Sequence, residues 1–208
     1  MVKIKYYFLN YLNIKFDKGE YGIIDYLKSN DGGSYVYEVG ENVVHPRYGS
    51  GTVTEIRKFT VEGEEKRYVC IELVGDGGTA MIPISYLDDA GIREANTDLE
   101  LVETIMSKQP NQLQDDYRKR QSDIERKLKD GNFRKMVQCL RDLAYRERVN
   151  KLSQGDMRLK DRLLTKIVHE LSLNPRHKIA SLKEKVQRIM ILAIDTHTAD
   201  HQKAAESA

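Results

Sequence analysis

The sequence contains no tryptophan, only two cysteines and only four prolines among its 208 residues. Two cysteines cannot build a disulfide framework, and Cys70 and Cys139 both lie in apolar patterns, so we expect buried, reduced thiols. The longest apolar run, IMILAI at 189–194, is far too short to cross a bilayer. The first twenty residues lack the apolar core and cleavage site of a signal peptide. These absences predict a cytoplasmic protein without a membrane partner.

Sequence motifs of catalysis and cofactor binding are missing as well. There is no GxSxG, no phosphate-binding loop and no GxGxxG. Only His197-x-x-x-His201 has ligand-like spacing, and no cysteine or carboxylate cluster completes a zinc site around it. Adjacent carboxylates such as Asp88-Asp89 are typical of turns and helix caps rather than of acid–base pairs. The sequence therefore predicts a protein that is not an enzyme and that holds neither a metal nor another cofactor.

The formal net charge of +2 conceals an uneven distribution along the chain. Residues 39–109 carry seven basic and thirteen acidic side chains, whereas residues 110–208 carry twenty-two basic and fourteen acidic ones. Within the second segment, residues 118–151 hold twelve lysines and arginines against five acidic residues. A charge difference that follows a domain boundary indicates two parts with different partners.

Residues 39–95 have the pattern of a small β domain. Short β-type runs alternate with glycine-rich turns, which predicts strands over 42–45, 51–59, 67–73, 79–84 and 91–93. Five short strands in so few residues are typical of an SH3-like or Tudor-like barrel. An edge that such a barrel leaves open can accept a strand from a partner. Residues 1–38 precede this domain as an extension to which the sequence assigns no structure or role.

The pattern changes to helix after residue 95. Thr97 and Glu100 have capping-box spacing and predict a short helix over 98–108, which with a linker fills 96–112. Helical periodicity over 113–198 then predicts an all-α domain, with helices over 112–129 and 132–149 and two more starting near Ser153 and Ser181. Residues 199–208 are expected to be a frayed tail. The fold class is α+β in two domains, a small barrel followed by a helical bundle.

A basic tripeptide, Arg118-Lys119-Arg120, directly follows Tyr117. Several cations on one helix face bind phosphates by displacing counterions, and a neighbouring aromatic side chain can stack on a base or enter a base step. These residues are also compatible with a solvated helix face and a tyrosine in the core. Composition alone does not separate these two interpretations.

Two ordered blocks of sequence resemble one known family. The first is VGENVVHPRYGSGTVTEI at 39–56, continued by Gly63-Glu64, Tyr68, Ile82-Pro83 and Gly91-Ile92-Arg93. The second is YRKR at 117–120, followed by Leu128, Gly131, LRDLAYRERVNKLSQGD at 140–156 and Glu170-Leu171. Together they resemble the CarD/CdnL family of bacterial transcription regulators over about residues 39–173, with a Tudor-like polymerase-interacting domain and a helical DNA-binding domain.

The resemblance implies a division of labour between the two domains. The barrel would bind the RNA polymerase β subunit partly by strand pairing, and the helical domain would hold promoter DNA by its phosphates and minor groove near the upstream edge of the bubble. Such a regulator would stabilise the open complex at initiation, in the cytoplasm and associated with the nucleoid, with a monomer favoured. The polymerase-side candidates are Arg57, Phe59, Val61, Thr79 and Met81. The DNA-side candidates are Tyr117, Lys119, Arg120, Arg141, Arg148, Arg158 and Arg162.

The chain departs from the family pattern at three positions. Tyr117 stands where the family carries a wedge tryptophan, Ala144 where it carries a second aromatic residue, and Met81 where some members have an arginine. A tyrosine offers less stacking area than a tryptophan, which predicts a weaker wedge. Two other functions remain open on the sequence: an RNA- or ribosome-binding module of the KOW type, and a protein–protein adaptor without nucleic-acid binding.

Overall fold

The chain folds into two compact units that meet in sequence between Glu94 and Ala95. The structure is a computed structural model that describes residues 37–61, 63–75, 78–150 and 152–206, with side chains through residue 199. The predicted extension 1–38 lies almost wholly outside these described residues. The first unit contains five strands, β1 (Asn42–His45), β2 (Gly49–Val61), β3 (Glu64–Leu73), β4 (Thr79–Pro83) and β5 (Arg93–Glu94), with a short 3-10 turn at Ile84–Tyr86.

The five strands form one antiparallel sheet in the order β4-β3-β2-β1-β5. This architecture confirms the α+β class and agrees with a Tudor-like first domain. The predicted bounds of β1 coincide with those of the observed strand. Strands β2 and β3 are longer than predicted and extend to the turn at Gly63, whose φ of 84° favours glycine. Charged side chains such as Lys58 and Glu65 pair across the strands in this longer part of the ladder.

A β-bulge between Val53 and Glu55 divides β2 into two halves. Before the bulge, Val53 lies opposite Ile71 and both are buried in the barrel core, together with Val43, Val69 and Ile82. After the bulge, Glu55 lies opposite Cys70, on the other face of the sheet. The bulge therefore changes which side chains of β2 share a sheet face with Ile71 and the barrel core.

The second unit contains five helices: α1 (Leu99–Met106), α2 (Tyr117–Lys129), α3 (Phe133–Val149), α4 (Gln154–Leu171) and α5 (Ile179–Glu206). The capping box predicted at Ser153 is present, with both reciprocal hydrogen bonds to Asp156. The prediction for α1 is wrong in its cap, because the carboxylate of Asp98 accepts hydrogen bonds from the helix N–H groups in place of Thr97. Helix α5 begins before Ser181, so that residue is not its cap either.

Apolar side chains from all five helices share one core, whose fully buried members include Met106, Leu140, Leu163, Ile167 and Leu182. The sequence pattern sets 96–112 apart from the helical domain, but four side chains of α1 are buried in this core. Helix α1 is thus an integral part of the domain. Helix α5 continues to Glu206, through most of the stretch expected to fray. Across the described residues no helix combines the length and apolar character needed to span a membrane.

Candidate functional site

Tyr117 is the first residue of α2, and its side chain is 49% exposed. The preceding Asp116 caps the helix, its carboxylate accepting hydrogen bonds from the N–H groups of Arg118 at 2.8 Å and Lys119 at 3.3 Å. The guanidinium of Arg118 lies 5.6 Å from the centre of the Tyr117 ring, and its Nε donates to the tyrosine hydroxyl at 3.1 Å. The alternative that placed Tyr117 in the core is therefore wrong.

Arg120 is buried inside the helical domain, with only 4% of its surface exposed. Its Nε and Nη2 donate to the two carboxylate oxygens of Asp156 at 3.3 and 2.6 Å, and its Nη1 donates to the backbone carbonyls of Gln114 and Asp115. This environment argues against the predicted contact of Arg120 with DNA, because its guanidinium is enclosed and already hydrogen-bonded. The residue links α2 to α4 and to the segment before α2.

Arg141 is also buried, at 3% exposure, and this burial argues against the predicted contact of Arg141 with DNA. Its Nε and Nη2 donate to the carboxylate of Asp142 at 2.9 and 2.8 Å, and its Nη1 donates to the carbonyl of Ile105 in α1. Periodicity carries a signal for this position: Arg141 lies four residues after Val137 and three before Ala144, which are both buried. The same argument applies to Arg120, four residues before the buried Ile124.

The segment between α1 and α2 has no regular structure but is fixed at several points. Asp142 accepts hydrogen bonds from the backbone N–H of Asn111 at 2.9 Å and from its side-chain amide at 3.0 Å. Arg146 pairs with Asp115 at 3.3 Å, and Arg120 holds the carbonyls just before the helix. Because these bonds reach up to Asp115, the backbone that leads into Tyr117 has a defined position.

The remaining DNA-side candidates are exposed but differ in their partners. Arg148 pairs with Asp195 at 3.2 Å, and Arg162 pairs with Glu125. Among the residues that the structure describes, Lys119 and Arg158 are exposed and no ion pair involves them. Exposed ion pairs are weak and exchange readily, so all four cations remain accessible to phosphate. Lys119 and Arg158 require no such exchange.

The N-termini of α2 and α4 lie together at one end of the helical domain. Gln121 of α2 donates to Ser153 and Asp156 at the start of α4, at 3.1 and 3.3 Å. The Arg146–Asp115 pair brings the end of α3 to the same region. Tyr117 and Arg158 each lie within two residues of these contacts, and Arg148 is two residues from Arg146. Arg162, further along α4, pairs instead with the middle of α2.

Arg118 belongs to the basic tripeptide but was not among the DNA-side candidates predicted from the sequence. Its side chain is exposed and stacked against Tyr117, so the two present a joint surface with a planar cation and an aromatic ring. The signal was its position next to Tyr117, but neighbouring residues on a helix usually point in different directions. Only the conformation at the first turn of α2 places the two side chains together.

The polymerase-side candidates share one face of the sheet. Antiparallel pairing sets Arg57 opposite Tyr68 and Met81 opposite Cys70, and Phe59 packs edge-on against Tyr68 at 5.3 Å between ring centres. Alternation along β2 and β4 adds Val61 and Thr79 to this face, which is opposite to the barrel core formed by Val69, Ile71, Ala80 and Ile82. Val61 is 6% exposed, so it offers little contact area on this face.

The sheet order places β4 and β5 at the two ends of the sheet. Within the described residues, β4 pairs only with β3, so its outer edge has no strand partner there. The candidates Thr79 and Met81 thus lie on a strand with an available edge.

Metal and thiol chemistry have little support in the described part of the chain. No three histidine, cysteine, aspartate or glutamate side chains approach one another closely enough there to hold a metal ion. Cys70 and Cys139 are both buried and free of disulfides, as the sequence predicts. Burial, followed by the charge of Glu55, raises the pKa of Cys70 to about 11, and burial likewise raises the pKa of Cys139.

Comparison with known proteins identifies both units. Residues 37–95 match the family model of the CarD-like/TRCF RID domain, and residues 101–187 match that of the CarD C-terminal domain. A protein of Bacillus subtilis (strain 168), provisionally named transcription factor YdeB, is 23% identical over 141 residues. The match covers 66% of this chain and 92% of that protein.

Proposed function

Since the chain belongs to the CarD-like family of transcription factors, we propose that it is a non-catalytic regulator that binds RNA polymerase and promoter DNA. In this proposal the barrel binds the polymerase β subunit, and the helical domain binds duplex DNA at the upstream edge of the transcription bubble. The combined effect is to stabilise the open complex at initiation.

The barrel's part of the proposal is supported by the outer edge of β4. Backbone N–H and C=O groups along β4 can extend a sheet of the partner, and side chains on alternate positions then give specificity. Thr79 and Met81 of β4 share one face of the sheet with Arg57 and Phe59 of β2, so a strand or loop docked at that edge would meet this face. Met81 would supply a flexible apolar contact.

The DNA part depends on one observation, the exposed Tyr117 at the start of α2 with cations around it. An aromatic ring that is half exposed can stack on a base at the end of a duplex, and Lys119, Arg148 and Arg158 supply charges for the phosphates. Arg118 enlarges the planar surface through its contact with the ring. We therefore replace the buried Arg120 and Arg141 by Arg118 among the DNA contacts.

The decisive experiment measures the lifetime of the polymerase–promoter open complex with Tyr117→Ala. Stacking of one base on an aromatic ring contributes about 1–3 kcal/mol, so the lifetime should shorten roughly tenfold or more while polymerase binding is retained. Tyr86→Ala, which removes a similarly exposed tyrosine of the barrel, is the matched control for the DNA effect. An unchanged lifetime with Tyr117→Ala would refute the wedge.

The two alternatives predict different binding data. An RNA- or ribosome-binding module would prefer RNA to duplex DNA in a competition assay. A protein–protein adaptor would bind DNA very weakly or without salt dependence. The proposed function instead predicts weak, largely sequence-independent binding to duplex DNA that falls steeply as salt is raised.

A further inference from the structure

We propose that Arg120 and Asp156 act as a positioning pair that determines where Tyr117 is presented to DNA, an inference that rests on the proposed function above. Neither side chain is available to touch DNA, because they are 4% and 0% exposed. Their role is to fix the backbone on both sides of the position from which Tyr117 projects.

The first half of the argument is the reach of the Arg120 guanidinium. Its Nη1 donates to the carbonyls of Gln114 and Asp115, three and two residues before Tyr117. Its backbone N–H donates to the carbonyl of Asp116 at 3.0 Å, which closes the first turn of α2. The Arg120 side chain thus fixes the segment that leads into α2, and the Arg120 backbone N–H closes the first turn of the same helix.

The second half of the argument is how firmly Asp156 is held. Its carboxylate accepts hydrogen bonds from the Ser153 hydroxyl at 2.8 Å, from the Ser153 backbone N–H at 3.3 Å and from Gln121 at 3.3 Å. Gly155 leaves room for this arrangement, because a Cβ there would lie 2.4 Å from the Gln121 amide nitrogen. Asp156 therefore anchors the Arg120 guanidinium to the N-terminus of α4.

Tyr117 itself has little to hold it. Among the described residues, its ring contacts are with Arg118, its exposed neighbour. Its position must therefore follow from the backbone, which Asp116 caps and Arg120 braces. A buried ion pair often adds little net stability compared with apolar residues, but it can select one arrangement of the surrounding chain. Here that arrangement is the one that exposes the tyrosine.

The lack of tryptophan in the sequence provides a direct test. Tyr117→Trp introduces a single tryptophan, which can be excited apart from the tyrosines, at the position of interest in the full-length chain. Arg120→Lys in that background keeps a positive charge but cannot bind Asp156 through two nitrogens and the two carbonyls together. We expect a clear fall in the fluorescence anisotropy of the tryptophan and faster quenching by acrylamide. Arg126→Lys, an exposed arginine of the same helix, is the matched control and should change neither.

The functional measurement is open-complex lifetime in a double-mutant cycle. Arg120→Lys should shorten the lifetime by about the same factor as Tyr117→Ala, roughly tenfold. The double variant Tyr117→Ala/Arg120→Lys should be no worse than Tyr117→Ala alone, because a displaced wedge and an absent wedge are equivalent. Effects that multiply in the double variant would instead show a general role of Arg120 in stability and overturn the proposal.

Failure of the two proposals can be told apart. If Tyr117→Ala leaves the lifetime unchanged, the wedge function fails, whatever the anisotropy shows. If Tyr117→Ala shortens the lifetime but Arg120→Lys alters neither anisotropy nor lifetime, only the positioning role fails. Should Arg120→Lys lose helical circular dichroism at the assay temperature, Asp156→Asn replaces it, since an asparagine keeps an oxygen for the α4 cap. The same outcomes then support or overturn the proposal.

Discussion

Among the described residues, the helical domain contains buried ion pairs as well as exposed ones, whereas the ion pairs of the barrel are exposed. In the barrel, the ion pairs Glu55–Arg57, Lys58–Glu65 and Glu64–Lys66 lie at the surface, with side chains 41–78% exposed. In the helical domain, Arg120–Asp156 and Arg141–Asp142 are enclosed, with every side chain at most 4% exposed. Backbone ladders and apolar contacts determine the barrel, whereas buried charges also determine the path of the chain in the helical domain.

This difference changes the meaning of the charge distribution. Two of the twelve cations in residues 118–151, Arg120 and Arg141, are internal structural residues. The excess of positive charge in this half is therefore partly structural. Each domain also contains one buried cysteine, so the rate at which a thiol reagent labels Cys70 or Cys139 reports the opening of each domain separately.

The largest effect should follow from breaking the buried pair of α3. Asp142→Ala leaves the Arg141 guanidinium buried without its carboxylate and releases Asn111, which should cost about 3–5 kcal/mol in unfolding free energy. Labelling of Cys139 should become much faster, while labelling of Cys70 in the barrel stays at its original rate. Equal acceleration at both cysteines would show that the domains do not unfold independently.

In the barrel, a comparable disruption requires a steric change. A Cβ at Gly51 would lie 2.4 Å from the backbone carbonyl oxygen of Glu72 and 2.7 Å from the Ile71 side chain. Gly51→Ala should therefore separate β2 from β3 and lower the unfolding free energy by about 1–3 kcal/mol. Cys70 should be labelled faster and Cys139 should not. Unchanged labelling of Cys70 would contradict the close strand contact at Gly51.

A smaller difference between the domains should appear in how their stability depends on pH. Burial alone would raise the pKa of Asp156, but hydrogen bonds from Arg120, Ser153 and Gln121 outweigh it and lower that pKa. The ionised carboxylate therefore adds stability above its unfolded-state pKa of about 3.9, and this contribution is lost as pH falls through the lower folded-state pKa. Unfolding monitored by helical circular dichroism should show a shallower acid dependence in Asp156→Asn than in the unaltered protein. An equally steep dependence would assign the acid sensitivity to other carboxylates.

The smallest effect should come from a surface pair of the barrel. Lys58→Ala removes the partner of Glu65, and both side chains are about three-fifths exposed. Solvent and salt screen this pair, so the unfolding free energy should change by less than about 1 kcal/mol. Urea denaturation and Cys70 labelling measure the change. A loss as large as that from Asp142→Ala would remove the contrast between the domains.

The order and type of the elements were predictable because local patterns determine them. Alternation and glycine turns predicted the first and last residues of β1 correctly. Helical periodicity predicted the buried face of α3 that contains Met136, Val137 and Leu140. Helix ends were less predictable where two capping residues compete, as with Thr97 and Asp98. The longer hairpin of β2 and β3 was missed because its distal half is polar and exposed.

The site was only partly predictable because burial of a charge depends on a distant partner. Arg120 and Asp156 are thirty-six residues apart, and their pairing follows from how α2 packs on α4. A basic residue without such a partner would be solvated and free to bind phosphate. The sequence alone therefore predicted that Arg120 contacts DNA. The choice of Tyr117 as a DNA-side candidate needed only its place in the motif, whereas the contact between Tyr117 and Arg118 could be seen only in the first turn of α2.

The bulge in β2 has a consequence for aligning this chain with distant relatives. Up to Val53 the odd-numbered residues lie on the sheet face of Ile71, in the barrel core, and from Glu55 they lie on the face of Cys70 and Tyr68, so the strand has two phases within thirteen residues. A homologue without the extra residue would carry the residues aligned with Arg57 and Phe59 on the face of Ile71 instead. An alignment without a gap at this point would then match residues of one sheet face in one protein with residues of the other face in the other protein.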